Sequence, residues 1–260
     1  MALFVTGCHS VPSVVNPSFD ITVPQARAAL EQLCTTAKPK LDRPLVICGG
    51  HWDFGFGPWL MRRTLSQYVD GPILCVSFAT IDSLQEGRER LVKRIETDLG
   101  KGDANTTVEV DVIGQSLGGM IAVYSALDDA SLGKRVRIRR LYTICSPLQG
   151  AKEATWLPFD LFGYQRDLRP GSALCERLRT TPIDYELISY ARLRDRAVGE
   201  QYASLPGHPL WWVDTPADED AHGGADFDAR ILLEIVRRLR RDAPLTREPA
   251  TPLPASSADN

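Results

Sequence analysis

Gly114-Gln115-Ser116-Leu117-Gly118-Gly119 constrains this chain more than any other stretch. An apolar, β-branched run precedes it, from Val108 to Ile113, and a run with helical character follows, from Met120 to Leu127. A strand, a glycine-flanked serine and a helix in that order form the G-x-S-x-G elbow. Such a turn is so tight that the serine backbone is strained, and the flanking glycines leave room for neighbouring backbone. The strain lifts Oγ above the end of a sheet, within reach of a base. The helix that follows aims its first N–H groups at the space above the serine, where negative charge on oxygen would be stabilised. Read without chemistry, the same residues are a Gly-rich strand-to-helix turn.

The pattern before the elbow is strand, helix, strand, helix, strand. Leu45–Cys48 and Ile73–Phe78 read as short buried strands, and Pro24–Ala37, Pro58–Val69 and Ser83–Leu99 as helices. Arg137–Ile144, Tyr185–Tyr190 and Leu210–Val213 are the later strands, and Phe227–Leu239 is a closing helix. Alternation of this kind predicts an α/β fold with a doubly wound, mostly parallel sheet. Residues 147–181 break the alternation. Trp156, Leu157, Phe159, Leu161 and Phe162 crowd there without a strict period, interrupted by Pro158 and Gly163. The expectation is a cap inserted after the strand that follows the elbow helix, with Trp156, Phe159 and Phe162, together with Trp52, facing a substrate; the alternative is an excursion that only extends the core. The organisation expected is an N-terminal tether over 1–23, one domain over 24–242 and a disordered tail over 243–260, rich in Pro, Ser, Thr and Ala.

The 260 residues suit one large α/β domain or two small ones. A net charge of −3 points neither to nucleic acid nor to an anionic membrane surface. No run of ~18 apolar residues predicts a membrane-spanning helix. No H-E-x-x-H, C-x-x-C or phosphate-binding loop occurs, so neither a metal nor another cofactor is expected. Of the six cysteines, Cys48, Cys75 and Cys145 fall in or at the end of core strands, as small buried apolar groups.

The elbow resembles that of the lipase-like branch of the α/β-hydrolase superfamily. Thr143-Ile144-Cys145-Ser146-Pro147-Leu148-Gln149-Gly150 is similar to the segment that lipases carry after the elbow helix, with Leu148 where His is usual. Asp167–Leu174 is similar to a segment between cap and next strand in the same proteins, where its role is mainly structural. The resemblance covers roughly residues 44–240. It implies a serine nucleophile, Ser116, an acid and then a base in chain order.

Four histidines could serve as the base. His9 lies in the tether, His51 lies in a glycine- and aromatic-rich loop after the first strand, and His208 sits in a turn before the last strand. His222 lies between the last strand and the closing helix, where the superfamily places its base. For the acid, Asp195 opens Asp195-Arg196-Ala197-Val198, similar to the family's Asp-x-x-Val, and lies 222 − 195 = 27 residues before His222. Asp214, directly after the last strand, is the rival; Asp184 precedes its strand and falls at the opposite edge of the sheet. The resemblance further implies that the backbone N–H groups of Leu117 and His51 form an oxyanion hole. The activity expected is hydrolysis of a carboxylic ester or lipid through an acyl-enzyme on Ser116. A thioesterase, amidase or acyltransferase shares that triad, and a non-catalytic binding protein on the same scaffold is a further alternative.

Val5-Thr6-Gly7-Cys8 resembles a bacterial lipobox, without the basic and apolar regions of a signal peptide. A cytoplasmic protein starting at Met1 and an envelope protein anchored by lipid on Cys8 are both open.

Overall fold

The structure is a computed structural model that describes residues 14–100, 107–127, 136–156 and 163–255. The lipobox-like segment therefore lies outside the described residues. The elements run α1 (Val23–Cys34), β1 (Leu45–Cys48), α2 (Phe56–Leu65), β2 (Ile73–Val76), α3 (Leu84–Leu99), β3 (Val108–Gln115), α4 (Leu117–Ala126), β4 (Val136–Ile144), α5 (Glu153–Trp156), α6 (Ala173–Thr180), β5 (Glu186–Arg192), β6 (Leu210–Val213) and α7 (Ala229–Arg240).

The six strands form one sheet in the order β2-β1-β3-β4-β5-β6, every neighbouring pair parallel. The chain goes outward from β1 to β2, then returns through α3 to lay β3 on the other side of β1. That reversal leaves a crevice at the carboxyl ends of β1 and β3, the usual ligand position in such sheets.

Alternate residues of each strand face opposite sides, and each side has its own core. Val46, Cys48, Val110 and Val112 pack with α3 and α4. Leu45, Ile47, Ile113 and Tyr142 pack with α1, α2 and α7. Both faces are covered, so the short strands β1, β2 and β6 read as continuous apolar runs, while β3, β4 and β5 carry charges such as Glu109, Arg137 and Glu186 toward their first residues. Helix α4 is buried along Leu117–Val123, because it lies over the middle of the sheet. Among the described residues no helix is long and apolar enough to cross a membrane.

The described parts of the excursion after β4 do two things. Leu148, Tyr164, Cys175 and Leu178 join the core on the α3–α4 side, and α6 supplies the crossover to β5. Other residues of the same excursion reach the crevice, as described below.

Residues 243–255 depart from the expected disordered tail. Arg247 N donates to Ser18 O at 2.8 Å, Thr251 N to Ser18 Oγ at 2.9 Å, and Trp212 Nε1 to Thr251 O at 2.8 Å. These partners lie far away in sequence, at Ser18 and Trp212, so no local pattern announces them. The end of the expected tether is likewise docked: Asn16 Nδ2 donates to Trp212 O at 2.8 Å, and Phe19 is buried in the core.

Candidate active site

Ser116 occupies the turn between β3 and α4, with φ 46° and ψ −123°. An L-residue is held there at a cost of about 1–3 kcal/mol. The surroundings impose it: Ser116 N donates to Ile144 O at 2.9 Å, and Gly119 N to Ser116 O at 3.0 Å. Two glycines make the approach possible. A Cβ on Gly114 would collide with Gly119 across the elbow, and one on Gly118 would collide with the carbonyls of Cys48 and Gly49 at the end of β1.

His222 Nε2 lies 2.9 Å from Ser116 Oγ, and its Nδ1 lies 3.0 Å from Asp195 Oδ2. Asp195 follows β5 in a turn and is 3% exposed. Its other oxygen, Oδ1, accepts from Ala197 N at 3.0 Å and Val198 N at 3.1 Å. One carboxylate oxygen is thus fixed by backbone, and the second is left for the imidazole. The rival Asp214 faces elsewhere, with Oδ1 2.7 Å from Arg194 Nη1 and Oδ2 accepting from Val14 N. His208 sits half-buried near Ser204, whose hydroxyl donates to its carbonyl.

Burial is the largest influence on His222 and pulls its pKa down. The hydrogen bond and charge of Asp195, with the charges of Asp226 and Asp220, outweigh it, so the pKa stands above 6.5. Asp226 is a buried carboxyl in the turn after His222. Burial drives its pKa well above the carboxylate range, nearby Asp53 adds to that, and His222 opposes it. Cys145, Asp195 and His222 form the one grouping of candidate metal ligands among the described residues. Burial also pushes the Cys145 thiol well up, so it sits beside the pair as a neutral thiol.

A cavity of about 360 Å³ opens over Ser116. Gly50, His51 and Asp53 line it from the loop after β1, Gln115 and Leu117 from the elbow, Ala197 and Val198 from the Asp195 turn. Pro147, Ala151, Ala154, Tyr164 and Leu168 line it from the excursion. Leu117 heads α4, so its N–H belongs to the unsatisfied first turn of a helix. The loop bearing His51 runs close to Ser116, for a Cβ on Gly50 would lie 3.3 Å from Ser116 Cβ. Tyr164 OH is hydrogen-bonded to His51 Nδ1.

Trp52 differs from expectation. It stands 63% exposed, stacked on the His51 ring, and is not among the lining residues. The tight turn at residues 51–52, with Trp52 at φ 57°, sends His51 to the wall and Trp52 to solvent. Trp156 ends the short α5, whose Glu153 and Ala154 reach the cavity. Phe159 and Phe162 lie outside the described residues.

Two contributors were missed in the sequence. Asp53 organises the loop after β1: its Oδ1 accepts from Gly55 N at 2.6 Å, and both its oxygens accept from Gly57 N. An Asp two residues before Gly is the local signal that could have found it. Arg192, within β5, joins the His222 loop to the sheet and gave no local signal.

Among solved structures, the chain is similar to the product of gene lin2722 from Listeria innocua, with TM-score 0.54, 13% identity, and 77% of this chain and 95% of that one covered. It is also similar to mature lipase BlEst2 of Bacillus licheniformis, with TM-score 0.53, 14% identity and 79% and 92% covered. The fold is that of the α/β-hydrolases. A third likeness is to phospholipase PlaB of Legionella pneumophila, with TM-score 0.53, 9% identity and 79% and 60% covered. No protein-family model and no curated protein matches the sequence.

Proposed function

We propose that this chain is a serine hydrolase that cleaves carboxylic esters. The observation that carries the reading is the unbroken line from Asp195 Oδ2 through His222 to Ser116 Oγ, with links of 3.0 and 2.9 Å. A serine hydroxyl is a weak nucleophile until a base takes its proton; in this reading His222 is that base and Asp195 the acid that orients it.

Ser116 Oγ attacks the ester carbonyl carbon as its proton passes to His222 Nε2. The carbonyl π electrons move to oxygen, and the N–H groups of Leu117 and His51 stabilise that charge, each worth ~10²–10³ in rate. Collapse breaks the bond to the alcohol, which takes the proton from His222 and leaves an acyl-Ser116. A water then attacks the acyl carbon and gives its proton to His222. The second collapse returns that proton to Ser116 Oγ and frees the carboxylic acid. Ala151, Ala154, Leu168 and Val198 offer an apolar wall suited to the acyl part of the substrate.

A panel of p-nitrophenyl esters, thioesters and anilides tests bond type and acyl length together. Turnover of esters, lost in Ser116→Ala, is the expected result. Absence of turnover on the whole panel, with no labelling of Ser116 by a fluorophosphonate, overturns the reading in favour of a binding protein.

A further inference from the structure

Trp52, Phe54, Phe56 and Trp59 are 63%, 78%, 70% and 49% exposed. They make up four of the seven large apolar side chains standing exposed among the described residues, all within eight positions. Single exposed hydrophobics are normal, whereas a contiguous group marks an interaction site. Two of them pair, Phe56 and Trp59 with ring centroids 5.9 Å apart, and Trp52 stacks on His51 at 5.2 Å. Phe227, 43% exposed, lies on the turn that packs beside α2.

The display is built rather than frayed. The Asp53 carboxylate ties down Gly55 and Gly57 from inside the loop, and Phe56 opens α2. The last turn of α2 presents Arg62 and Arg63, both exposed and neither ion-paired among the described residues. The Arg63 guanidinium stands 5.8 Å from the centre of the Trp59 ring. Asp53 is the only acid between His51 and Ser66, and its oxygens are turned inward. Exposed aromatics bordered by unpaired guanidinium groups suit a boundary between hydrocarbon and anionic headgroups. A second copy of the chain suits it less, because a two-fold contact would bring the same cations together. The face adjoins the site, since Gly50, His51 and Asp53 of the same loop line the cavity over Ser116.

We propose that the face formed by residues 52–63 docks the protein on an anionic lipid surface, presenting the cavity mouth to that surface. The benefit to catalysis rests on the ester-hydrolase reading; the docking itself does not.

The test sediments full-length Ser116→Ala protein with vesicles of phosphatidylcholine alone and of phosphatidylcholine with phosphatidylglycerol. Ser116→Ala keeps the vesicles intact and separates docking from hydrolysis. Binding should be stronger to the anionic vesicles, and combined Phe54→Ser, Phe56→Ser and Trp59→Ser should weaken it by about tenfold or more. Arg62→Gln with Arg63→Gln should lower binding on anionic vesicles to the level on phosphatidylcholine. With Ser116 restored, the triple substitution should leave hydrolysis of a short soluble ester unchanged, which reports an intact fold. No sedimentation with either vesicle, or undiminished binding of the triple variant, overturns the proposal. A dimer in solution that the triple substitution converts to monomer assigns the face to self-association and overturns it too. Docking without ester hydrolysis would refute the proposed reaction and leave the surface assignment standing.

Discussion

Arg192 Nη1 donates to the Asp220 carbonyl at 3.1 Å, fastening β5 to the loop that carries His222. The guanidinium is fully buried, ion-paired with Glu219 and with Asp228, whose Oδ2 lies 3.3 Å from Nε. Asp220 in turn accepts from His222 N at 3.1 Å and Gly223 N at 2.9 Å. A buried cation needs acceptors, and wrapping the loop around it supplies them while holding His222 over Ser116.

Arg192→Met should therefore lower kcat by about tenfold or more with a smaller change in KM, because the imidazole loses its fixed position. It also leaves Asp228 with one cation fewer, and one-sided removal of a buried pair costs about 3–5 kcal/mol. Steady-state kinetics with a melting curve checks both. A lower melting temperature with unchanged kcat would reduce Arg192 to a purely structural tie.

Ser116→Ala should abolish turnover, a loss on the order of 10⁶-fold for such nucleophiles. The backbone makes a second prediction. At φ 46° and ψ −123° alanine keeps the strain and glycine relieves it. Ser116→Gly should thus melt above Ser116→Ala, by an amount worth about 1 kcal/mol. Equal melting temperatures would limit the strain to the ~0.4–1 kcal/mol that glycine costs through the unfolded chain.

Asp195→Asn should reduce kcat by about 10⁴-fold, since an amide cannot hold the same imidazole tautomer. Asp214→Asn should leave most activity, because Asp214 is engaged with Arg194 and Val14. Kinetics of the two variants side by side decides between the acids, and the reverse order of damage would refute the assignment.

The pKa of His222 is raised, and only its neutral form can accept the serine proton. Activity should fall as pH drops, with the midpoint of kcat/KM above 6.5. Asp195→Asn removes the hydrogen bond and charge that hold it up, so the residual activity should have its midpoint at lower pH. For stability the sign is opposite to that of a carboxylate. A raised His pKa contributes stability below the unfolded value, and that contribution is lost as pH rises through the folded value. A pH–rate profile of wild type and variant, with melting curves across the same range, reads both effects.

The order of strands and helices was legible because each element carries its own period and bounding residues. Buried parallel strands such as Leu45–Cys48 are short apolar runs, and the elbow at Ser116 is written within a dozen consecutive residues. Turn chemistry, too, is local, and the Asp53 carboxylate could have been found from Asp-x-Gly. These features depend on neighbours in sequence, so the sequence by itself determined them.

Tertiary structure decided what depends on partners far along the chain. Asp195 rather than Asp214 meets His222 because the turn after β5 ties one carboxylate oxygen to Ala197 and Val198, while a distant arginine and Val14 occupy Asp214. Trp52 faces solvent because of the turn at 51–52, although composition alone suggested a pocket wall. Residues 243–255 are held by Ser18 and Trp212, across more than 30 positions in each case. Arg192 is an unremarkable charge in the sequence and becomes an anchor only when β5 lies beneath the loop from Glu219 to Gly224. The physical reason is the same throughout: a local pattern fixes the backbone of an element, but a polar side chain takes its role from whichever acceptor the folded chain brings within 3 Å or so of it.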